Sequence, residues 1–326
     1  MLNGLFIPVV HGATEGRLDE ADTVVAAEAV AAALQRLGAA TEIVHVAPNL
    51  VALDWLALRR PDAVFNLVEA LGGDGGRAAD AIARMQALGF AHTGAGGDAY
   101  TASSDKLAAK LALQHGRLPT PVWSSDGGGF SPAATVIVKS ATEHASLGLD
   151  AASVVPAALA PAEIAAREAR FGGHFFAEAY IEGREFNLSV LDGQVLPPAE
   201  IRFHDFAPAR PRIVDWAAKW ETTSHAYAHT PRSFAFWDRD AALLAQLKRL
   251  ALQTCRLFGL AAYARVDFRV DAEGRPWILE ANANPCLTPD AGFAAAAAAA
   301  GIPYDALIER IVRAALPRPA TLALAA

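Results

Sequence analysis

The chain has 326 residues, with 28 lysines and arginines against 35 aspartates and glutamates, for a formal charge of −7. That length supports two or three compact units around a large core. The acidic balance, without a long basic run, excludes a general attraction to nucleic acid or anionic membrane. The positive mean hydropathy comes from alanine. The longest small apolar run, residues 293–300, falls far short of the roughly 20 residues a membrane span needs.

Residues 1–10, which contain Pro8 and lack a basic start, read as a buried first strand with its apolar part at 5–10, not as a secretory signal. An alanine-rich helix at 20–37 ends near Gly38, and short strands follow at 41–46 and 63–67. The cluster Gly72, Gly73, Asp74, Gly75 and Gly76 has no P-loop spacing and reads as the entry turn of a helix at 77–88. This alternation predicts a parallel, doubly wound α/β unit over residues 1–102. A central lobe, 103–181, opens with a helix at 104–114 started by Ser103, Ser104 or Asp105. Its strand at 136–138 precedes a helix at 161–171 with Pro161 in the first turn, then a strand at 175–180.

A third region, 182–318, begins with antiparallel strands 185–190 and 195–201 around Asp192 and Gly193. The irregular stretch 206–234 has the length of a lid or binding loop. A helix at 241–258, a strand pair, a close-packed alanine helix at 294–300 and a closing helix at 302–315 follow, with residues 319–326 as a tail. The two cysteines, Cys255 and Cys286, form no disulfide framework and no CxxC motif, which fits a reducing cytoplasm.

The strand pair from Arg265 to Asn282 is the most informative stretch. A turn centred between Glu273 and Gly274 sets Asp267 opposite Glu280 and Arg265 opposite Asn282, and alternation places all four on one face. Val266, Phe268, Val270, Trp277, Leu279 and Ala281 then form the core face. Two carboxylates, an amide and a guanidinium point to a hard cation and phosphate. Taken alone, the same face is equally a salt-bridged exposed hairpin. Lys139 ends a buried strand, where a phosphate would explain its ammonium, although a strand-end lysine also snorkels to solvent. Lys106 and Lys219 individually read as solvated, and Glu178 and Glu185 as strand-end acids.

The ordered blocks Val64-Phe65-Asn66-Leu67, Gly94 to Lys106, Val136 to Lys139, Glu178 to Asn187, Leu196 to Glu200, Lys219-Trp220 and Tyr263 to Asp290 resemble the ATP-grasp superfamily. Within it they are most similar to the D-alanine–D-alanine ligase-like family. The resemblance implies a three-part α/β ATP-grasp architecture with ATP between the second and third lobes. It also implies ADP-forming ligation of a carboxylate to an amine through an acyl phosphate. Lys106 and Lys139 should contact ATP phosphates, Glu178, Ala179, Tyr180 and Ile181 should line the adenine pocket, and Glu185 should hold the ribose. Lys219 should reach the terminal phosphate. Asp267, Glu280 and Asn282 should bind two Mg²⁺ ions (Mn²⁺ being an alternative), with Arg265 steadying the transferred phosphate or the oxyanion. Small amino-acid or dipeptide-type substrates, no nucleic acid or membrane partner, and a homodimer complete the implied picture.

The departures concern substrates. The family's glycine-rich, serine-containing start is replaced here by His11 to Glu20. The glutamate that receives the first substrate's ammonium is replaced by Glu20 or Asp19. Glu69 occupies the place of a histidine, and Ala145 and Trp220 those of a serine and tyrosine pair. His144, in the phosphate loop, reads as incidental. Cys286 stands where a glycine is usual and, without a partnered histidine, reads as a packing residue. The acceptor-carboxylate position falls near Asp290, where an acid favours an amine or hydroxyl. These changes leave open a dipeptide or amino-acid ligase with another acceptor, acyl transfer to a non-amine, or a nucleotide-binding regulatory protein without catalysis. The complete acidic set argues against the last.

Overall fold

The computed structural model describes residues 1–12, 17–143 and 145–317. Expectations for His144, for residues 13–16 of the atypical start and for the tail lie outside those residues. The N-terminal unit alternates β1 (Val9–His11), α1 (Leu18–Arg36), β2 (Ile43–His45), α2 (Val51–Leu58), β3 (Phe65–Asn66) and α3 (Ala78–Ala87). The strands form a parallel sheet in the order β2-β1-β3. The expected alternation is therefore present, with strands only two or three residues long. Helix α2 is absent from the sequence expectation: it is only eight residues long, and Leu50 enters it in a left-handed conformation at φ 61°. The glycine cluster is a helix-entry turn in which Asp74 accepts from the Gly76 N–H at 2.9 Å.

A single helix expected at 104–114 proves to be the second of a pair, α4 (Gly97–Ser104) and α5 (Lys106–His115). Asp105 stays extended between them and accepts from the Leu107 and Ala108 N–H groups at 2.9 and 3.0 Å, so it is the start signal. The central lobe contains β4 (Trp123–Ser124), β5 (Thr135–Ser140), β6 (Val154–Pro156), α6 (Ala160–Phe171) and β7 (Phe175–Ala179). Its antiparallel sheet runs β4-β7-β5-β6 over a small core that includes Val136, Val138, Ile164 and Phe175.

The third region contributes β8 (Arg184–Leu191), β9 (Gln194–Val195), β10 (Ala199–Ile201), α7 (Trp216–Trp220), α8 (His225–Ala228) and β11 (Arg232–Ser233). After these come α9 (Ala241–Phe258), β12 (Tyr263–Val270), β13 (Pro276–Asn282), α10 (Gly292–Ala299) and α11 (Tyr304–Ala315). The sheet order is β11-β10-β8-β12-β13, with β9 paired to β8. Asp192 and Gly193 both take positive φ, the turn geometry that matches strand twist. The expected strand 195–201 splits at Pro197 and Pro198, which have no N–H for a ladder. Helices α10 and α11 bury Phe293, Leu307, Ile308 and Ile311 in a core shared with α1 and β1. Among the described residues no helix is long and apolar enough to cross a membrane.

The decisive hairpin keeps the expected register at its site end. Arg265 pairs with Asn282, Val266 with Ala281 and Asp267 with Glu280. A bulge then intervenes, and Phe268 pairs with Ile278. The expected core face is corrected accordingly. Ile278, not Leu279, is fully buried against Phe268, while Leu279 lines the cleft described below. Trp277 is half-buried, and its indole N–H donates to Asp271 at 3.0 Å.

Candidate active site

A cleft of about 760 Å³ opens between the four-stranded and six-stranded sheets and the first turn of α1. Neighbouring strands build its floor. Asn187 of β8, Asp267 of β12 and Glu280 of β13 lie in one cross-strand row, and Ser189, Arg265 and Asn282 form the next. Asp267 accepts from Asn187 Nδ2 at 2.8 Å, from Arg265 Nε and Nη2 at 2.8 Å each, and from Asn282 Nδ2 at 3.1 Å. Asn282 Nδ2 also lies 3.3 Å from Glu280 Oε1. Burial raises the Asp267 pKa, with Arg265 opposing. Asn187 lies within a block quoted from the sequence, and only the strand register reveals it as a site residue.

Two carboxylates and one amide suit Mg²⁺, which takes few protein oxygens and completes its shell with phosphate and water. No group of three or more His, Cys, Asp or Glu side chains among the described residues has metal-site geometry. In this arrangement Asn282 turns its Nδ2, not its oxygen, towards both carboxylates.

Three lysines, two of them buried, gather at the neighbouring part of the cleft. Lys106 is the first residue of α5 and donates to the Glu143 carbonyl at 2.6 Å, with burial lowering its pKa. Lys139 pairs with Glu178, whose second oxygen lies 2.5 Å from Lys110 Nζ. Burial works against the charge of Glu178, yet the two lysines hold its pKa below the usual carboxylate value. The Glu178 side chain thus anchors Lys139 within the wall expected to face adenine. Lys110 also donates to Thr120 Oγ1 at 3.0 Å and approaches the Leu279 carbonyl at 3.5 Å, while Thr120 Oγ1 donates to the Ile278 carbonyl at 3.0 Å. The sequence reading missed Lys110, although it lies one helical turn beyond Lys106 on the same face.

Ala179, Tyr180 and Ile181 line the cleft beyond β7. Glu185 is paired at 2.9 Å with Arg269, a second missed residue, whose Nη1 also donates to the Gly183 carbonyl at 3.0 Å. Burial raises the Glu185 pKa and Arg269 opposes the shift.

Helix α7, capped by Asp215, brings Lys219 to the cleft, where it makes no ion pair with any described residue. The positions expected to lack a serine and tyrosine pair are joined differently: the Trp220 indole N–H donates to the Ala145 carbonyl at 2.8 Å. Ser146 Oγ donates to the Val214 carbonyl at 3.0 Å, and the Trp216 N–H to the Leu149 carbonyl at 3.0 Å. Ala145 and Ser146 both sit at positive φ, 61° and 63°.

At the far end lie Asp19, Asp22, Glu69, Cys286 and Asp290. Glu20 instead lines a small adjoining cavity, together with Arg17, Asp19 and Glu69. Cys286 Sγ donates to Asp22 at 2.9 Å and lies 3.3 Å from Thr288 Oγ1. Burial, reinforced by Asp22, pushes the thiol pKa up to about 12, so Cys286 is a protonated donor. Asp290 is exposed, and its carbonyl accepts from Arg232 at 2.6 Å.

A protein-family model described as D-ala D-ala ligase C-terminus matches residues 133–313. The D-alanine–D-alanine ligase of Methylococcus capsulatus is 33% identical over 297 residues, covering 87% of this chain and 88% of that protein. The chain belongs to the D-alanine–D-alanine ligase family. A Synechococcus member (strain JA-3-3Ab) is also 33% identical, over 77% of this chain and 76% of its own length. The crystal structure of the Bacillus anthracis D-alanine–D-alanine ligase complexed with ATP superposes with a TM-score of 0.74 at 18% identity, covering 96% of this chain and 98% of that one. The mixed parallel and antiparallel α/β architecture is the expected ATP-grasp fold. Members of the D-alanine–D-alanine ligase family are ATP-dependent ligases of the ATP-grasp class.

Proposed function

We propose that the chain is an ADP-forming, Mg²⁺-dependent carboxylate–amine ligase of the D-alanine–D-alanine ligase type. One observation carries this reading: Lys106, Lys139 and Lys219 converge on the same cleft as the Asp267, Glu280 and Asn282 row. Residues 103–181 and 182–318 would serve as the two ATP lobes, and residues 1–102 would supply one wall for amino acids. Ala179 to Ile181 would take the base, and Glu185 a ribose hydroxyl. Asp267, Glu280 and Asn282 would hold Mg²⁺, which supplies charge neutralisation during phosphoryl transfer.

A substrate carboxylate oxygen attacks the terminal phosphorus and ADP leaves. An amine then attacks the acyl carbon, loses a proton and expels inorganic phosphate. Lys219 neutralises the transferred group, while Arg265, already aligned along Asp267, faces charge developing at the acyl oxygen. The stretch 206–234, docked through the Trp220 bond to the Ala145 carbonyl, would exclude water that hydrolyses the acyl phosphate. Family membership also supports a homodimer, and two free thiols beside ATP chemistry support a cytoplasmic setting.

ADP release with Mg²⁺ across single and paired amino acids tests the reading. Turnover with D-alanine alone would identify a D-alanine–D-alanine ligase, and turnover with other pairs a ligase with another acceptor. ATP binding without substrate-dependent ADP would overturn catalysis in favour of a regulatory role.

A further inference from the structure

The two acids that the family pattern offers for a substrate ammonium, Asp19 and Glu20, already face a resident cation. Arg17 holds Asp19 through two bonds, Nε to Oδ1 at 3.1 Å and Nη2 to Oδ2 at 2.6 Å. Its Nε lies 3.9 Å from Glu20 Oε1, and its Nη1 donates to the Gly73 carbonyl at 3.2 Å. A two-point guanidinium–carboxylate pair fixes both partners.

Two other acids at the same end are committed far less. Glu69 follows β3, lines the cleft beside Lys219 and Asp22, and makes no hydrogen bond or ion pair with any described residue. Asp22 lies three residues beyond Asp19 on α1. Its side chain accepts, among the described residues, only from the Cys286 thiol. A thiol is a weak donor, whereas a carboxylate has about four acceptor sites. Enclosed acceptors with so few partners are matched by a ligand that brings donors.

We propose that Glu69 and Asp22, in place of Asp19 and Glu20, receive the amine-bearing substrate, and that this substrate is an amino acid with a second donor, ammonium or hydroxyl, on its side chain. The inference rests on the ligase reading above and assigns the substrate class of that site. One α-ammonium brings a single positive charge against two carboxylates and pairs with Glu69. Asp22 then needs a donor of its own, and a methyl side chain supplies none. Cys286 sets the Asp22 carboxylate in place from the opposite wall as a thiol donor. A site built to hydrogen-bond a substrate group rejects the analogue lacking it far better than an apolar pocket rejects an added group.

The test is ADP release with Mg²⁺ and saturating ATP for alanine, serine and 2,3-diaminopropionate in both enantiomers, each alone and paired with alanine. The expected kcat/KM for diaminopropionate or serine exceeds that for alanine of the same chirality at least tenfold, and which of the two leads separates an ammonium from a hydroxyl. Asp22→Val is expected to reduce that ratio at least tenfold. Glu69→Gln is expected to raise the amino-acid KM at least tenfold more than the ATP KM. A wild-type preference for alanine, or a larger rise in amino-acid KM in Asp19→Asn than in Glu69→Gln, overturns the proposal. If no amino acid releases ADP, the ligase reading fails. Calorimetry of diaminopropionate against protein loaded with Mg²⁺ and a non-hydrolysable ATP analogue then decides the receptor alone. Binding weakened at least tenfold in both variants upholds it, and absent or unchanged binding overturns it.

Discussion

Lys110 sits where three parts of the site meet. It joins α5, whose first residue is Lys106, to Glu178 of the central sheet and to the Leu279 carbonyl beside Glu280. Lys110 and Glu178 are both almost fully buried, so removing one partner strands a charge. Lys110→Met is expected to cost about 3–5 kcal/mol of stability in denaturant unfolding. The double variant Lys110→Met, Glu178→Leu should recover part of that loss, because neither charge is then left unpaired. Its KM for ATP should nevertheless stay raised, since Lys139 has lost its anchor. Glu280→Gln acts differently. Circular dichroism should report an intact fold, while ADP release falls by at least a hundredfold through loss of the carboxylate proposed to hold Mg²⁺. Asp267, Glu280 and Asn282 were legible because their spacing on two adjacent strands contains their geometry. Lys110 was not, because its partner Glu178 is distant in sequence and a lone lysine on a helix reads as solvated. Asp22 was hidden similarly: nothing local announces that Cys286 will face it.

Among the elements, long helices were legible and short strands less so. Helices α1, α6 and α9 carry their signals locally, in their length, in Pro161 at the start of α6 and in Gly259, which closes α9 at φ 70°. The bulge in the β12–β13 hairpin has no local cause. It releases the Ile278 and Leu279 carbonyls towards Thr120 and Lys110, so its position depends on residues more than 150 places away. Within the irregular stretch 206–234, helix α7 was also missed: Asp215 caps it locally, but five residues show no periodic pattern, and the helix docks on the loop that carries Ala145. That docking is testable at one bond. Trp220→Phe keeps an aromatic ring but removes the donor to the Ala145 carbonyl, which is held at positive φ. A bond of this kind contributes about 0.5–1.5 kcal/mol. Steady-state kinetics should show kcat/KM for ATP lowered roughly 2- to 10-fold, with stability lowered by no more than the contribution of that bond. An effect on stability without one on kcat/KM would assign the bond to packing alone.

At the scale of the whole molecule, the cleft concentrates enclosed acids between units that fold around other cores. Asp22, Glu69, Glu143 and Glu185 all have pKa values raised from those of the free side chains, and burial is the leading cause in each. For Glu69 the value reaches about 7 against 4.5 for the free side chain. The sign of the stability effect follows from proton uptake. Between these two values the folded protein holds a proton that the unfolded chain has released, so stability falls as pH rises through that window and then levels off. Removing the titration should remove that slope. Glu69→Gln is expected to unfold at a higher denaturant concentration than the parent at pH 8, by an amount corresponding to at most about 3 kcal/mol. The difference should shrink steadily as pH is lowered to 5. The ligand response runs the other way: a bound ammonium favours the charged carboxylate, so a cationic amino acid should stabilise the parent more at pH 8 than at pH 5 and the variant equally at both. Parallel pH profiles for parent and variant would place the Glu69 carboxyl in water and remove the electrostatic reason for the molecule to seek a cation at that end of the cleft.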